Sequence, residues 1–381
     1  MIFSELNCEN GVLKFNIHDD EQNRIDLSIV NSLRRTILSD LPNVAFAFEP
    51  IADENPDILI TQNDSPLHNE FIAQRVSMIP IHASQDQIDN WDKEQYKFVI
   101  SVENKSAEYQ EVTSKDIQVT KYDESKNEYV SIESDTLFPK NVLSKDYILI
   151  TKLPPPKKDA LSSKLQMNMK ATKDTARRNA SWSMTSLCTF SNSVDEDLQK
   201  EKEVEFVQKF KEVLNADEAK RRYATLEYQR AYKTNDFGEP NSFLFEIESE
   251  CGVSNELIFL NALMILTDKT SKLSFIDVQS NVEDNEMFTI VIPNETHTVG
   301  NLLQALIYNK HIQERKGKQI SFVGYHITHP LDSDVVLKIK STLNFDSLKE
   351  ELEITKTEII NLLEYMSDQW KEFTSLKEKF K

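Results

Sequence analysis

Glycine is scarce in this chain of 381 residues, at six, and none of the six falls into GxxxxGK[ST] or GxGxxG. A glycine loop cradling phosphate is therefore excluded by pattern. Only three cysteines occur, Cys8, Cys188 and Cys251, and no CxxC pair joins them. A disulfide framework or a cysteine zinc site has no basis here, and a reducing compartment is expected. HExxH is missing, as is any base motif beside a Ser or Cys nucleophile. The longest apolar run, Leu257 to Leu266, is broken by Asn261 and is too short to span a bilayer. Charged and polar residues begin at Glu5, so no secretory leader is expected, and the Asn-x-Ser/Thr triplets at Asn63, Asn104, Asn179 and Asn294 carry no weight. The expectation is a soluble intracellular protein with no cofactor, no metal and no membrane partner.

Basic charge is also in short supply: 44 Lys and Arg stand against 63 Asp and Glu, a formal net charge of −19. That balance opposes non-specific binding to phosphate backbones, which needs clustered cations to release counterions. One stretch runs the other way. Between Lys157 and Arg178 seven Lys/Arg face only Asp159 and Asp174. A nucleic-acid-binding module acting through residues 157–178 is therefore the alternative to weigh.

What is present is a recurring strand–helix theme. Leu13, Phe15 and Ile17 alternate with polar residues, the period of a half-buried strand. Asn31-Ser32-Leu33-Arg34-Arg35-Thr36-Ile37-Leu38-Ser39-Asp40-Leu41-Pro42 then reads as a short helix. Its stripe is Ile29, Leu33 and Ile37, widened by Val30, Leu38 and Leu41, with Ser28 as cap and Pro42 as stop. Two adjacent arginines in so apolar a helix are unusual.

Near the other end Phe288, Ile290 and Ile292 alternate, and Thr298 is placed to cap a helix bearing Val299, Leu302, Leu303, Leu306 and Ile307. Asn31, Leu33 and Ile37 recur at the same offsets as Asn301, Leu303 and Ile307. Each half continues through strand text to a longer apolar helix: Glu256 to Asp268, capped by Ser254, and roughly Phe345 to Phe380. The latter carries Leu348, Leu352, Ile359, Leu362, Met366, Trp370, Phe373, Leu376 and Phe380 as a coiled-coil-like face. Leaving that face wet forgoes about 1.5–3 kcal/mol per large side chain, so it must be covered.

These features predict an α+β fold: two strand–helix dimerisation modules on one chain, packed as a pseudo-heterodimer, the first split by a mainly β insertion. The predicted bounds are 1–49 and 236–272 for the first module, 50–235 for the insertion, and 273–381 for the second module with its long C-terminal helix. The predicted intrachain interface is Leu33, Ile37, Leu303, Leu306, Ile307, Leu362 and Met366. His326 and His329, and the acidic turn Asp332-Ser333-Asp334, read as structural.

The motifs resemble those of the α-like subunits of multisubunit DNA-dependent RNA polymerases. Residues 31–42 are similar to the first helix of the bacterial α amino-terminal domain and the eukaryotic third subunit. Asn69-Glu70-Phe71-Ile72-Ala73-Gln74-Arg75-Val76-Ser77-Met78-Ile79-Pro80 resembles the segment that follows it in that family. Asn294-Glu295-Thr296-His297-Thr298-Val299-Gly300-Asn301-Leu302-Leu303 and Ile320-Ser321-Phe322-Val323-Gly324-Tyr325-His326-Ile327-Thr328-His329-Pro330-Leu331 are similar to the eleventh-subunit (archaeal L) type. Thr296 stands where the family has Asp, and the zinc-binding cysteines of many cellular third subunits (archaeal D) are missing. The two types joined around Thr270 to Phe275 resemble the arrangement in nucleocytoplasmic large DNA viruses.

The resemblance implies a non-catalytic assembly platform of a viral DNA-directed RNA polymerase, with chemistry on the largest subunits. It implies docking of the second-largest subunit and small adaptor subunits through Arg34, Arg35, Glu70 and Arg75, and contact with DNA only through the complex. Host cytoplasm and virion are the implied locations, with the nucleus as another.

Overall fold

A computed structural model describes residues 1–48, 57–123, 125–156, 161–280, 287–314 and 319–375. Lys157, Lys158 and Asp159 of the basic stretch, the predicted 49/50 boundary, and Leu376 and Phe380 lie outside the described residues. The chain forms two compact units. One comprises Met1–Ile37, Leu187–Glu248 and Phe259–Lys381; the other comprises Leu38–Ser186 and Ser249–Ile258.

The chain opens with β1 (Phe3–Glu9), β2 (Val12–His18) and α1 (Leu27–Ser39). The middle unit follows with β3 (Pro42–Ala45), β4 (Ile58–Asn63), α2 (Asn69–Ser77), α3 (Gln85–Asp89), β5 (Tyr96–Asn104) and β6 (Gln110–Thr113). It continues with β7 (Ile117–Asp123), β8 (Glu128–Ile132), β9 (Leu149–Leu153), β10 (Ser163–Met169) and β11 (Thr172–Thr175). Then come β12 (Thr185–Asn192), α4 (Glu196–Lys209), α5 (Ala216–Leu226), β13 (Ser242–Ser249) and α6 (Asn255–Ser271). The last stretch is β14 (Ile276–Ser280), β15 (Met287–Ile292), α7 (His297–Tyr308), β16 (Ile320–His326), β17 (Val335–Ser341) and α8 (Phe345–Phe373).

Two four-stranded sheets in the first unit share one topology. Their orders are β1-β2-β13-β12 and β14-β15-β17-β16: first, second, fourth and third strand of each module. The helix after the second strand (α1, α7) and the helix after the fourth (α6, α8) also correspond. The repeat predicted from three matched letters is thus a repeat of connectivity. The first module resumes at β12, near residue 185, whereas composition predicts its return at 236. The charged pair α4–α5 sits inside the β12–β13 connection and masks the strand before it; Thr189 and Ser191 also blur β12's alternation.

The middle unit carries a five-stranded antiparallel sheet, β4-β10-β5-β7-β8, and two small ladders, β3 with β11 and β6 with β9. Its core packs Phe98 edge-on against Phe46 and Phe138, all buried. Trp182 packs on Ala45 and Ala47 while its indole N–H donates to the Thr172 carbonyl at 2.9 Å.

Two caps differ from expectation. Asp26, not Ser28, caps α1, its carboxylate accepting from Ser28 N–H at 2.7 Å. Helix α7 starts at His297, so Thr298 lies in its first turn and Thr296 precedes it without a side-chain cap. In α8 the buried positions are Leu348, Leu352, Thr355, Ile359, Leu363, Met366, Ser367 and Trp370. A heptad predicts Leu362, but a straight helix has 3.6 residues per turn rather than 3.5. By the fifth turn the buried position has slipped to Leu363, leaving Leu362 half-buried.

Candidate subunit interface

Within the first unit the modules meet along α1 and α7. At one end the Asn309 amide donates to Asp26 Oδ2 at 2.9 Å. At the other, Arg35 Nε donates to Thr298 Oγ1 at 2.8 Å, and the Ser32 hydroxyl reaches the Thr298 carbonyl at 3.4 Å. The residue preceding one helix thus meets the residue following the other, so the two run antiparallel, as a pair related by a twofold perpendicular to the helices does. Leu33, Ile37, Leu303 and Ile307 are all at most 1% exposed on these helices. Leu306 is half-buried and lines a cleft with Leu362, Ile359, Asn309 and Arg24. Met366 is fully buried.

A second seam runs along α8. Trp370 enters an aromatic cluster built by the first module: its ring centroid is 4.6 Å from Phe15, 4.5 Å from Phe259 and 5.0 Å from Phe3. Tilted and edge-on rings at these distances suit the aromatic quadrupole. The loop between β2 and α1 adds polar links. Asp20 accepts from the Tyr365 hydroxyl at 2.9 Å, and Arg24 binds Glu239, Gln313 (3.0 Å) and Glu314 (3.4 Å). Burial raises the Asp20 pKa, but hydrogen bonds from Gln22, Tyr365 and Asn23 outweigh it and hold the carboxyl below its usual range. None of Asp20, Arg24, Asp26, Asn309 or Tyr365 is flagged by periodicity, because polar residues meeting across a seam leave no periodic signal.

The remaining face of α1 carries exposed Leu27 and Arg35 and half-buried Asn31, Arg34 and Leu38. Spacings of three and four keep these on one stripe, with the arginines at its centre. Arg34 Nε donates to Asn31 Oδ1 at 3.2 Å. Beneath it the Arg34 carbonyl meets the Cys188 thiol at 3.9 Å. Burial pushes that thiol up to about 12, so Cys188 stays protonated and unreactive.

In the middle unit, Glu70 and Arg75 lie on the exposed side of α2, and Arg75 donates to the Leu149 carbonyl at 2.8 Å. Phe71 and Met78 share that side at 56% and 60% exposure, and neither stands out by spacing. The basic stretch is largely self-neutralised. Lys164 pairs with Glu103, Lys170 with Glu94, Arg177 with Asp40 and Arg178 with Asp174, while Lys173 donates to the Asp89 carbonyl. Among the described residues no cluster of His, Cys, Asp or Glu could hold a metal ion, and no helix is long and apolar enough to cross a membrane. His329 accepts from Leu331 N–H within its own turn, and Asp334 accepts from the distant Asn294 N–H at 3.1 Å, tying the turn before α7 to the start of β17.

Two matched sheet-and-helix modules pairing through their helices define an RNA polymerase α-type dimerisation platform. Family models bear this out: the RNA polymerase Rpb3/Rpb11 dimerisation domain matches residues 21–270, more than half of the chain, and again residues 287–369. The chain belongs to the Rpb3/Rpb11 dimerisation-domain family, with a D-type and an L-type copy on one polypeptide. It is similar to the DNA-directed RNA polymerases IV and V subunit 3B of Arabidopsis thaliana, at 24% identity over 312 residues, 70% of this chain and 89% of that protein. It is 35% identical over 81 residues to the DNA-directed RNA polymerase subunit Rpo3 of Thermococcus kodakarensis, 21% of this chain and 28% of that one. It is 27% identical over 81 residues to the probable RNA polymerases I and III subunit RPAC2 of Caenorhabditis briggsae, 21% of this chain. The match spans about half of that relative's length, 51%.

Proposed function

We propose that this chain is the fused, non-catalytic assembly platform of a viral DNA-directed RNA polymerase, docking the second-largest subunit and small adaptor subunits. The observation that carries this is the stripe Leu27, Asn31, Arg34, Arg35 and Leu38, left facing outward on a helix whose other sides are buried. Guanidinium forks flanked by leucines suit carboxylates and backbone carbonyls at a protein interface. In the middle unit, Glu70, Phe71, Arg75 and Met78 form a second mixed apolar and charged face for a partner chain. Catalysis falls to the largest subunits, and DNA is met only through the complex. Domain-wise, residues 38–186 act as the insertion, with the first module resuming at β12. Viral ownership, with host cytoplasm and virion as locations, is supported by the fusion of two subunit types that the relatives carry on separate chains.

The alternative, nucleic-acid binding through residues 157–178, loses support because every described cation there has an intramolecular partner. The test is affinity purification of the tagged chain with mass spectrometry, wild type against Arg34→Ala/Arg35→Ala. Large polymerase subunits at one-to-one stoichiometry are expected with wild type and are depleted with the double variant. Equal recovery by a folded double variant refutes the docking role.

A further inference from the structure

We propose that Thr298 is a positioning residue for Arg35: the second module orients the arginine with which the first module grips an acidic partner surface. This rests on the docking role of Arg34 and Arg35 argued above. Arg35 is exposed, yet its Nε donates at 2.8 Å to the hydroxyl of Thr298, which is itself 8% exposed in the first turn of α7. Because Thr298 does not cap its helix, its hydroxyl is available to accept this bond. An arginine gives up rotamer entropy when it binds, and anchoring it at Nε removes part of that cost before a partner arrives.

Pseudo-symmetry separates this from ordinary seam packing. The offset relating Asn31 to Asn301 relates Ser28 to Thr298 and Arg35 to Ala305. Both halves therefore place a buried hydroxyl at this point, but only the first places an arginine to use it. The Ser28 hydroxyl is buried without a hydrogen-bond partner, so the seam closes in that half with no such bond. The Arg35–Thr298 pair belongs to the half bearing the docking face, and the partner chemistry it suits is a carboxylate cluster on the second-largest subunit. In a chain of net charge −19, such a surface is attracted only at a local cationic island.

The experiment measures affinity of the full chain for the co-expressed second-largest subunit, together with melting temperature. Thr298→Val removes the acceptor at nearly constant shape and should weaken binding roughly 3–10-fold with the melting temperature held within about 2 °C. Thr298→Ser should bind as wild type. In an Arg35→Ala background, Thr298→Val should have no further effect, a non-additivity that a merely structural threonine does not produce. If Arg34→Ala/Arg35→Ala binds as tightly as wild type, the docking reading itself fails. If Arg35→Ala weakens binding while Thr298→Val does not, or if Thr298→Val acts equally without Arg35, the docking reading stands and the positioning role is overturned. Should the valine variant lose its fold, Thr298→Ala in the same cycle gives the same decision.

Discussion

Trp370→Ala probes the seam most directly, because Trp370 belongs to the second module while its neighbours Phe3, Phe15 and Phe259 belong to the first. The indole is 0% exposed, so truncation removes its transfer free energy and leaves a cavity lined by three rings. Core Trp→Ala changes cost about 3–5 kcal/mol, and the lost edge-on ring contacts place this one toward the upper end. For a cooperative unit of roughly two hundred residues, each kcal/mol moves the melting temperature by about 2–4 °C. The expected fall is about 6–20 °C. Scanning calorimetry is the suitable assay, since two compact units need not melt together and only the transition of the first should move. Trp370→Phe should recover more than half of the loss. As a surface control, Val213→Ala, at 79% exposure, should stay within about 0.5 kcal/mol. A shift below about 2 °C for Trp370→Ala refutes the claim that α8 seals the first module.

Two further perturbations test the polar seam. Arg24→Met deletes the links from the β2–α1 loop to Glu314, Gln313 and Glu239, leaving Glu239 the Gln313 amide; a loss of about 1–3 kcal/mol is expected, read as a lower denaturant midpoint, and an unchanged midpoint counts against the clamp. His311 supplies a pH dependence. Its ring is 3% exposed, burial lowers its pKa below 6.5, the Glu351 carboxylate 3.2 Å away raises it in part, and Lys310 lowers it again while Glu358 raises it. A histidine depressed in the native state is more readily protonated when unfolded, so stability is full above about pH 6.5 and declines as pH falls toward the native value. The chain should melt lower at pH 5.5 than at pH 7.5, and His311→Gln should flatten that slope; a slope left intact by the substitution removes His311 from the account.

Those features that repeat along the chain are legible in sequence, and those that meet across it are not. Leu33, Ile37, Leu303 and Ile307 announce themselves by helical spacing, and all four are buried. Alternation at Phe15 and Phe288 marks the strands that lead into those helices. Trp370 is legible as part of a stripe, but nothing in the stripe says that Phe3 and Phe15 surround it. The cap of α1 is not legible in sequence, because Asp26 and Ser28, two apart, are both good cap residues, and only the backbone decides which precedes the first turn. The return at β12 was hidden because α4 and α5, with ten acidic residues beside nine basic ones from Asp195 to Lys233, look like the end of an insertion rather than an elaborated strand connection.

The same logic explains why the outward stripe of α1, the proposed docking face, needed the fold to be seen. Arg34 and Arg35 are conspicuous in sequence, but their meaning depends on which sides of α1 are covered. Seven of the helix's residues are buried, and one of them, Ser32, reaches Thr298 of α7. Only then does the remaining stripe become a place where another chain can bind. The meeting of α1 and α7 brings Thr298 to Ser32 and Arg35, so closing the seam and shaping the outer face are one event. A homodimer would make that event symmetric. Fusing two unlike modules on one chain puts arginines on one helix and Gln304 and Ala305 at the matching positions of the other, where Gln304 accepts from the Tyr325 backbone instead. On the docking role proposed for Arg34 and Arg35, that asymmetry gives a partner one orientation in which to seat.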